Sequence, residues 1–204
     1  MGAFMGKYHL LGQATALSVL LSATGWAIDL GPGEPCAAFK FGRIGGGNIV
    51  IMNARQGDRE VQAETAWTTG VEFDYPLSRY LYAGAALNWQ WLGEPYIREI
   101  DLMGGGISAP ELAVVLKGLI SFNDGKLAVK PGFGIGGAQG KYTMFTMQAG
   151  VEFQASVSEQ FGAGLETGVW YSPRGTDNYT DIRVGPSGYV RGELLFSVWG
   201  RSRK

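Results

Sequence analysis

The tightest constraint on this chain is a strict two-residue alternation of apolar and polar side chains, repeated along nearly its whole length. A β-strand turns successive side chains to opposite faces, so an apolar residue at every second position marks a ribbon with one greasy and one wet surface. Over residues 81–91 one face carries Leu81, Ala83, Ala85, Leu87, Trp89 and Trp91, and the other Tyr82, Gly84, Ala86, Asn88 and Gln90. Over 61–75 the apolar face runs from Val61 through Trp67, Val71 and Phe73 to Tyr75, against Gln62, Glu64, Thr68, Gly70, Glu72 and Asp74. Over 143–155, Phe145, Met147, Val151 and Phe153 oppose Thr146, Gln148, Gly150, Glu152 and Gln154. Over 161–171, Phe161, Leu165, Val169 and Tyr171 oppose Gly162, Gly164, Glu166 and Gly168. Four further segments alternate less cleanly: 37–43, 111–122, 127–136 and 189–199. Eight such ribbons predict an all-β fold, a closed antiparallel transmembrane barrel of about eight strands. Pro131 cannot donate to a ladder, which predicts a local bulge inside its segment.

The connections support antiparallel order. Three are tight: Tyr75-Pro76-Leu77-Ser78, Asn123-Asp124-Gly125 and Ser156-Val157-Ser158. Asn, Asp and Gly tolerate the positive φ that short hairpin turns need. Long connections are expected over roughly 44–60, 92–110 and 172–188, with a shorter one around Gly137-Ala138-Gln139-Gly140. Short turns at one end and long loops at the other are the asymmetry of outer-membrane barrels, and an even strand count puts both termini at the short-turn end.

Composition narrows the function classes. The 33 glycines suit turns and crowded sheet faces and disfavour a helical domain. A net charge of −1 gives no electrostatic footing for nucleic acid. The lone Cys36 has no internal disulfide partner and is read as a strand residue. At the N-terminus, Lys7 precedes an apolar stretch from Leu10 to Ala23, and Gly25-Trp26-Ala27 gives small residues either side of a spacer. That pattern predicts a signal peptide over 1–27 and a barrel over 28–204.

The interior of an eight-stranded barrel is just wide enough to be filled by side chains, and charges sealed there must be paired. The charged, glycine-rich face is therefore assigned to the lumen, with Lys40, Lys117, Lys130 and Arg191 pairing with Glu64, Glu72, Glu152, Glu166 and Glu193. The opposite face meets lipid through Phe39, Phe41, Trp67, Phe73, Trp89, Trp91, Phe145, Phe153, Phe161, Tyr171 and Phe196. The competing arrangement is a soluble barrel of lipocalin type, with its apolar face inside.

Two hairpins share one design: Gly70-Val71-Glu72-Phe73 with Leu77-Ser78, and Gly150-Val151-Glu152-Phe153 with Ser158. With these and the alternation, residues 28–204 resemble small outer-membrane barrels of the OmpA transmembrane domain, OmpX and opacity-protein type. The resemblance implies a bacterial outer-membrane location and a monomer. It implies contact with outer-membrane lipid and lipopolysaccharide, and delivery by periplasmic chaperones and the barrel-insertion machinery. It also implies a structural or surface-interaction role with no cofactor. One departure is the end of the chain, where Phe196-Ser197-Val198-Trp199 is followed by Gly200-Arg201-Ser202-Arg203-Lys204 rather than closing on an aromatic residue. In size the chain also resembles OmpW-like barrels, which implies a narrow channel for small solutes as the alternative, and lipid A-modifying outer-membrane enzymes as a second.

Chemistry on the chain itself is sparse. His9 is the only histidine and falls in the signal segment, so a histidine-activated nucleophile is not expected and no catalytic residue is assigned. Glu72 and Glu152 form a formal carboxylate pair but are assigned to the lumen. Gly132-x-Gly134-x-x-Gly137 has dinucleotide-binding spacing but is followed by an alternating strand instead of the required helix. Asp177, Asn178 and Asp181 offer oxygens without a recognised calcium spacing, so no metal is assigned. Function is expected in the long loops, among them the apolar Pro95–Met103 stretch.

Overall fold

Alternating segments with a wet and a greasy face close on themselves here, which leaves no sheet edge in the eight-stave wall. The computed structural model describes residues 35–45, 47–52, 59–62, 65–92, 107–123, 126–139, 143–158, 161–176 and 181–197. The predicted signal peptide, Glu64, most of the 92–110 connection, Asp177 and Asn178 lie outside the described residues. Every regular element among the described residues is a strand: β1 (Cys36–Gly45), β2 (Asn48–Met52), β3 (Arg59–Gln62), β4 (Ala66–Ser78), β5 (Leu81–Leu92), β6 (Ile107–Gly118), β7 (Ile120–Phe122), β8 (Leu127–Gln139), β9 (Thr143–Ser156), β10 (Phe161–Thr176) and β11 (Asp181–Ser197).

All pairings are antiparallel between neighbours in the order β1-β4-β5-β6-β8-β9-β10-β11, and β1 also pairs with β11, closing an eight-stave barrel. A path of paired residues from Cys36 through Asp74, Gly84, Val115, Gly134, Gln148 and Trp170 reaches Ser187. The next residue of β11, Gly188, pairs with Gly45, so the path closes about ten positions further along than it began. That stagger is the strand tilt that a closed barrel requires.

The predicted segments differ from the observed strands mainly at the loop end. Residues 44–60 are not one long loop: β2 pairs with β11 and β3 with β2, in the same register as the β1–β11 and β1–β4 ladders below them. The β1–β4 hairpin therefore continues past the expected rim. Residues 172–188 are likewise mostly strand, with Gly175 opposite Ile182 and Thr176 opposite Asp181. The second stretch escaped the alternation rule because bulges shift the inward parity of β10 between Trp170 and Gly175.

At the other end the turn expected at Tyr75–Ser78 lies further on, at Arg79-Tyr80, and β4 carries its irregularity between Pro76 and Ser78. Asn123 takes a φ of 51° and its carbonyl accepts from Lys126 at 3.1 Å, the left-handed turn its residue type favours. Pro131 makes no bulge. It stays in register with Val151, and the register of Lys117 with Gly132 carries on to Ile120 with Val129. The ladder simply skips a rung there, and Leu119 donates to the Tyr80 carbonyl at 2.9 Å instead.

The polarity is inverted relative to a soluble barrel. Leu112 and Val114 are 64% and 62% exposed, and Phe41, Trp67, Leu87, Phe133 and Phe145 are also exposed on the outer wall, while among the described residues ten charged side chains are buried inside. This excludes the lipocalin-type arrangement. Apolar side chains close the lumen at both ends. Ala38, Tyr82, Leu119, Ala128 and Leu195 cluster at the short-turn end, with Cys36 and Phe161 packed against them. Ile44, Ile49, Met144, Ile182 and Val184 are buried toward the loop end.

Candidate functional site

The inward positions of adjacent strands stack charged side chains across a narrow lumen. Lys40 on β1 is 1% exposed, and its Nζ lies 2.9 Å from Glu72, 2.8 Å from Glu152, 3.1 Å from Glu166 and 3.3 Å from Glu193. Lys117 donates to Glu72 and Glu152 and lies 3.3 Å from Asp74. Lys130 reaches Asp74 at 3.3 Å and sits 4.8 Å above the Tyr82 ring. Arg191 pairs with Glu166 at 2.9 Å, donates to Asn88 and Gln148, and lies 4.3 Å from the Tyr189 ring centroid. The Tyr189 hydroxyl donates to Glu166 at 2.7 Å. Glu193 also accepts from Gln154 at 3.3 Å. In a low-dielectric interior an ion with several opposite neighbours is held far more firmly than a surface pair.

Glycines make room for these side chains. A Cβ on Gly84 would lie 2.5 Å from Asp74 Oδ1 and 2.7 Å from Val115, and one on Gly134 would lie 2.7 Å from Val115 and 2.9 Å from Gln148. The cavity left in the network, lined by Lys117, Lys130, Gln148 and Glu152 among others, measures about 10 Å³. That is barely the space of one water molecule.

Of the nine side chains assigned to the lumen from sequence, Lys40, Glu72, Lys117, Lys130, Glu152, Glu166, Arg191 and Glu193 come together there; Glu64 lies outside the described residues. The assignment missed Asp74 and Glu111, although both share inward parity with residues it did include. Glu111 differs from the rest. Its carboxylate accepts from Asn88 at 3.1 Å, Gln90 at 3.1 Å and the Trp170 indole at 3.0 Å, three neutral donors. Trp170 is an aromatic residue pointing inward, and the signal for it was its alternation with Gly168 and Glu166.

On the outer wall Phe39, Phe41, Trp67, Phe73, Trp89, Phe145, Phe153 and Phe196 are exposed, and Phe161 and Tyr171 are half-buried. The side chain of Trp91 lies outside the described residues. Phe41 stacks on Trp67 at 5.1 Å, and Phe161 meets Phe196 edge-on at 5.5 Å.

Two carboxylate triads have oxygens close enough to share a cation: Glu72, Asp74 and Glu152, and Glu152, Glu166 and Glu193. The ammonium of Lys117 contacts every member of the first triad and that of Lys40 every member of the second, so the chain supplies its own cations. The same lysines engage the Glu72–Glu152 pair.

A closed eight-stave antiparallel barrel with an apolar outer wall and a lumen filled by ion pairs defines the class: an inside-out β-barrel of membrane type. No protein-family model matches the chain, and no curated protein matches its sequence. Among solved structures it is similar to the outer membrane protein OprG from Pseudomonas aeruginosa, at 12% identity over 84% of this chain and 100% of that one, with a TM-score of 0.48. It is similar to Neisserial surface protein A at 7% identity over 79% and 98%, TM-score 0.44. It is also similar to the outer membrane protease OmpT from Escherichia coli at 9% identity over 86% and 100%, TM-score 0.42.

Proposed function

We propose that this chain is a monomeric bacterial outer-membrane barrel with a sealed lumen, acting as a structural or surface-interaction protein that presents its longer connections outside the cell. In this reading residues 1–27 are a signal peptide removed on export, and periplasmic chaperones and the barrel-insertion machinery deliver the rest. The observation that carries it is the filled lumen: Lys40 held by four carboxylates beside a cavity of about 10 Å³. Water-filled conduction needs a continuous wet path, and here the ion-pair layer lies between two apolar clusters.

Single-channel recording and liposome swelling with the full chain test this. The expected result is no solute flux above bare lipid. Reproducible flux, lost when Gly84 or Gly164 is replaced by a bulky residue, would establish the channel reading instead. Mass spectrometry of lipid A from cells with and without the protein is expected to show unchanged acyl chains. Altered chains would mean a lipid A-modifying enzyme.

A further inference from the structure

The outer wall has a recess at Gly188 that neither packing nor backbone geometry requires; among the described residues Gly192, whose Cβ would meet only the Phe41 carbonyl at 3.8 Å, is similarly open but does not border this recess. Gly188 on β11 faces outward opposite Gly45 on β1, and a Cβ built on it would meet nothing closer than the Gly45 carbonyl at 3.9 Å. Its φ lies outside the left-handed range that favours glycine. Gly45 differs, because a Cβ there would lie 2.7 Å from the Thr65 backbone. A lipid-facing position with open space ordinarily takes a large apolar side chain, as at neighbouring Val190 and Val169. Glycine at 188 instead leaves a groove of about 440 Å³, bordered by Arg43, Thr65, Thr167 and Val190.

Arg43 stands at the rim of this groove. It is exposed, and its guanidinium lies 4.6 Å from the Trp67 ring centroid, on a ring itself stacked on Phe41. Among the described residues no carboxylate forms a salt bridge with Arg43. An arginine in that state, beside an apolar recess, matches a phosphate with an attached acyl chain. Arg43 lies on the half of β1 that leads to β2, away from the short turns at Arg79-Tyr80 and Asn123–Lys126. In the orientation proposed above, that is the outer leaflet.

We propose that this groove seats one acyl chain of lipid A, the phosphorylated glycolipid of the outer leaflet, with a lipid A phosphate on Arg43. The inference rests on the membrane reading above. To test it, the full chain is inserted into phosphatidylcholine vesicles, extracted into mild detergent, and examined by native mass spectrometry with bis-phosphorylated lipid A, dephosphorylated lipid A or phosphatidylglycerol. One retained bis-phosphorylated lipid A is expected. Gly188→Phe, Arg43→Gln, or removal of the phosphates from the lipid is each expected to lower retention about tenfold, the loss of one charge-assisted contact or its acyl seat. If Gly188→Phe does not insert, Gly188→Val, no larger than Val190, is expected to give the same loss. Retention unchanged in inserted variants overturns the groove and leaves the membrane reading intact. Phosphatidylglycerol displacing lipid A at equal concentration overturns lipid A as the occupant. Failure of the unaltered chain to insert overturns both readings.

Discussion

Lys40→Met tests whether the lumen network or the outer wall holds this barrel together. The side chains are close in volume, so the change removes a charge and leaves packing nearly intact. Among the described residues the lumen holds six buried carboxylates, Glu72, Asp74, Glu111, Glu152, Glu166 and Glu193, against four cations, Lys40, Lys117, Lys130 and Arg191. Without Lys40, Glu72 and Glu152 keep Lys117, and Glu166 keeps Arg191. Glu193 keeps only the Gln154 amide. Leaving a buried charge without its partner costs about 3–5 kcal/mol. The rescue is specific: Glu193→Gln neutralises the stranded group. Alone it is expected to cost about 1 kcal/mol, the size of one buried hydrogen bond. Combined with Lys40→Met it is expected to recover about 0.5–3 kcal/mol relative to additivity. The assay is urea unfolding of vesicle-inserted protein followed by tryptophan emission, with the midpoint moving at constant slope. A Lys40→Met variant within about 1 kcal/mol of the parent, or a double variant no better than the sum of the singles, would refute this account of the lumen.

Three other changes separate the two faces. Val114→Arg, at a site 62% exposed, is expected to cost about 2–4 kcal/mol in vesicles, whereas a water-facing site would shift by no more than about 0.5 kcal/mol; urea midpoints decide. Gly84→Leu would drive carbon into Asp74 and Val115, so a loss of about 1–3 kcal/mol is expected, with a lower melting temperature by circular dichroism. Trp170→Phe takes the indole donor from Glu111 and is expected to cost about 1.5–3 kcal/mol by the same urea titration, while Trp170→Phe combined with Glu111→Gln costs less than the two changes added.

What the sequence made legible was parity. Alternation is a geometric consequence of the pleat, so once Glu72 and Lys40 fell on polar faces their meeting inside a closed barrel followed from topology. Trp170 and Glu111 were readable by the same rule, but weighting aromatic residues toward lipid hid the indole, whose N–H needs a buried acceptor. The upper strands were illegible for a different reason. Inward residues on β1 are even-numbered (Ala38, Lys40, Ile44), whereas Ile49 on β2 is odd. On β11, Ile182 and Val184 point inward, and then Ser187, Tyr189 and Arg191 do. Both strands change parity while their register is kept, which an alternation count reads as the end of a strand. The groove at Gly188 had no sequence signal, because it depends on which glycines are crowded and which are not.

That double change of parity has a physical consequence beyond its effect on pattern reading. Below it the outer wall carries Phe41, Val71, Leu87, Trp89 and Val169; above it the outward side chains include Asn48, Glu60, Arg174, Asp181 and Arg183, all exposed, beside the half-buried Val50 and Met52. The inner side stays buried across the change, through Ile44 below, Ser187 at the change, and Ile49, Ile182 and Val184 above. The wall thus keeps a sealed core while its exterior passes from greasy to charged, and Asn48 donates to Glu60 at 2.6 Å on the extended hairpin. A strand emerging from lipid into water needs this combination, because its backbone must remain paired in both media while its outer side chains change solvent. Gly45 and Gly188 sit where the solvent changes, so the recess beside Arg43 falls at the height where a lipid has both a phosphate and the start of an acyl chain to offer.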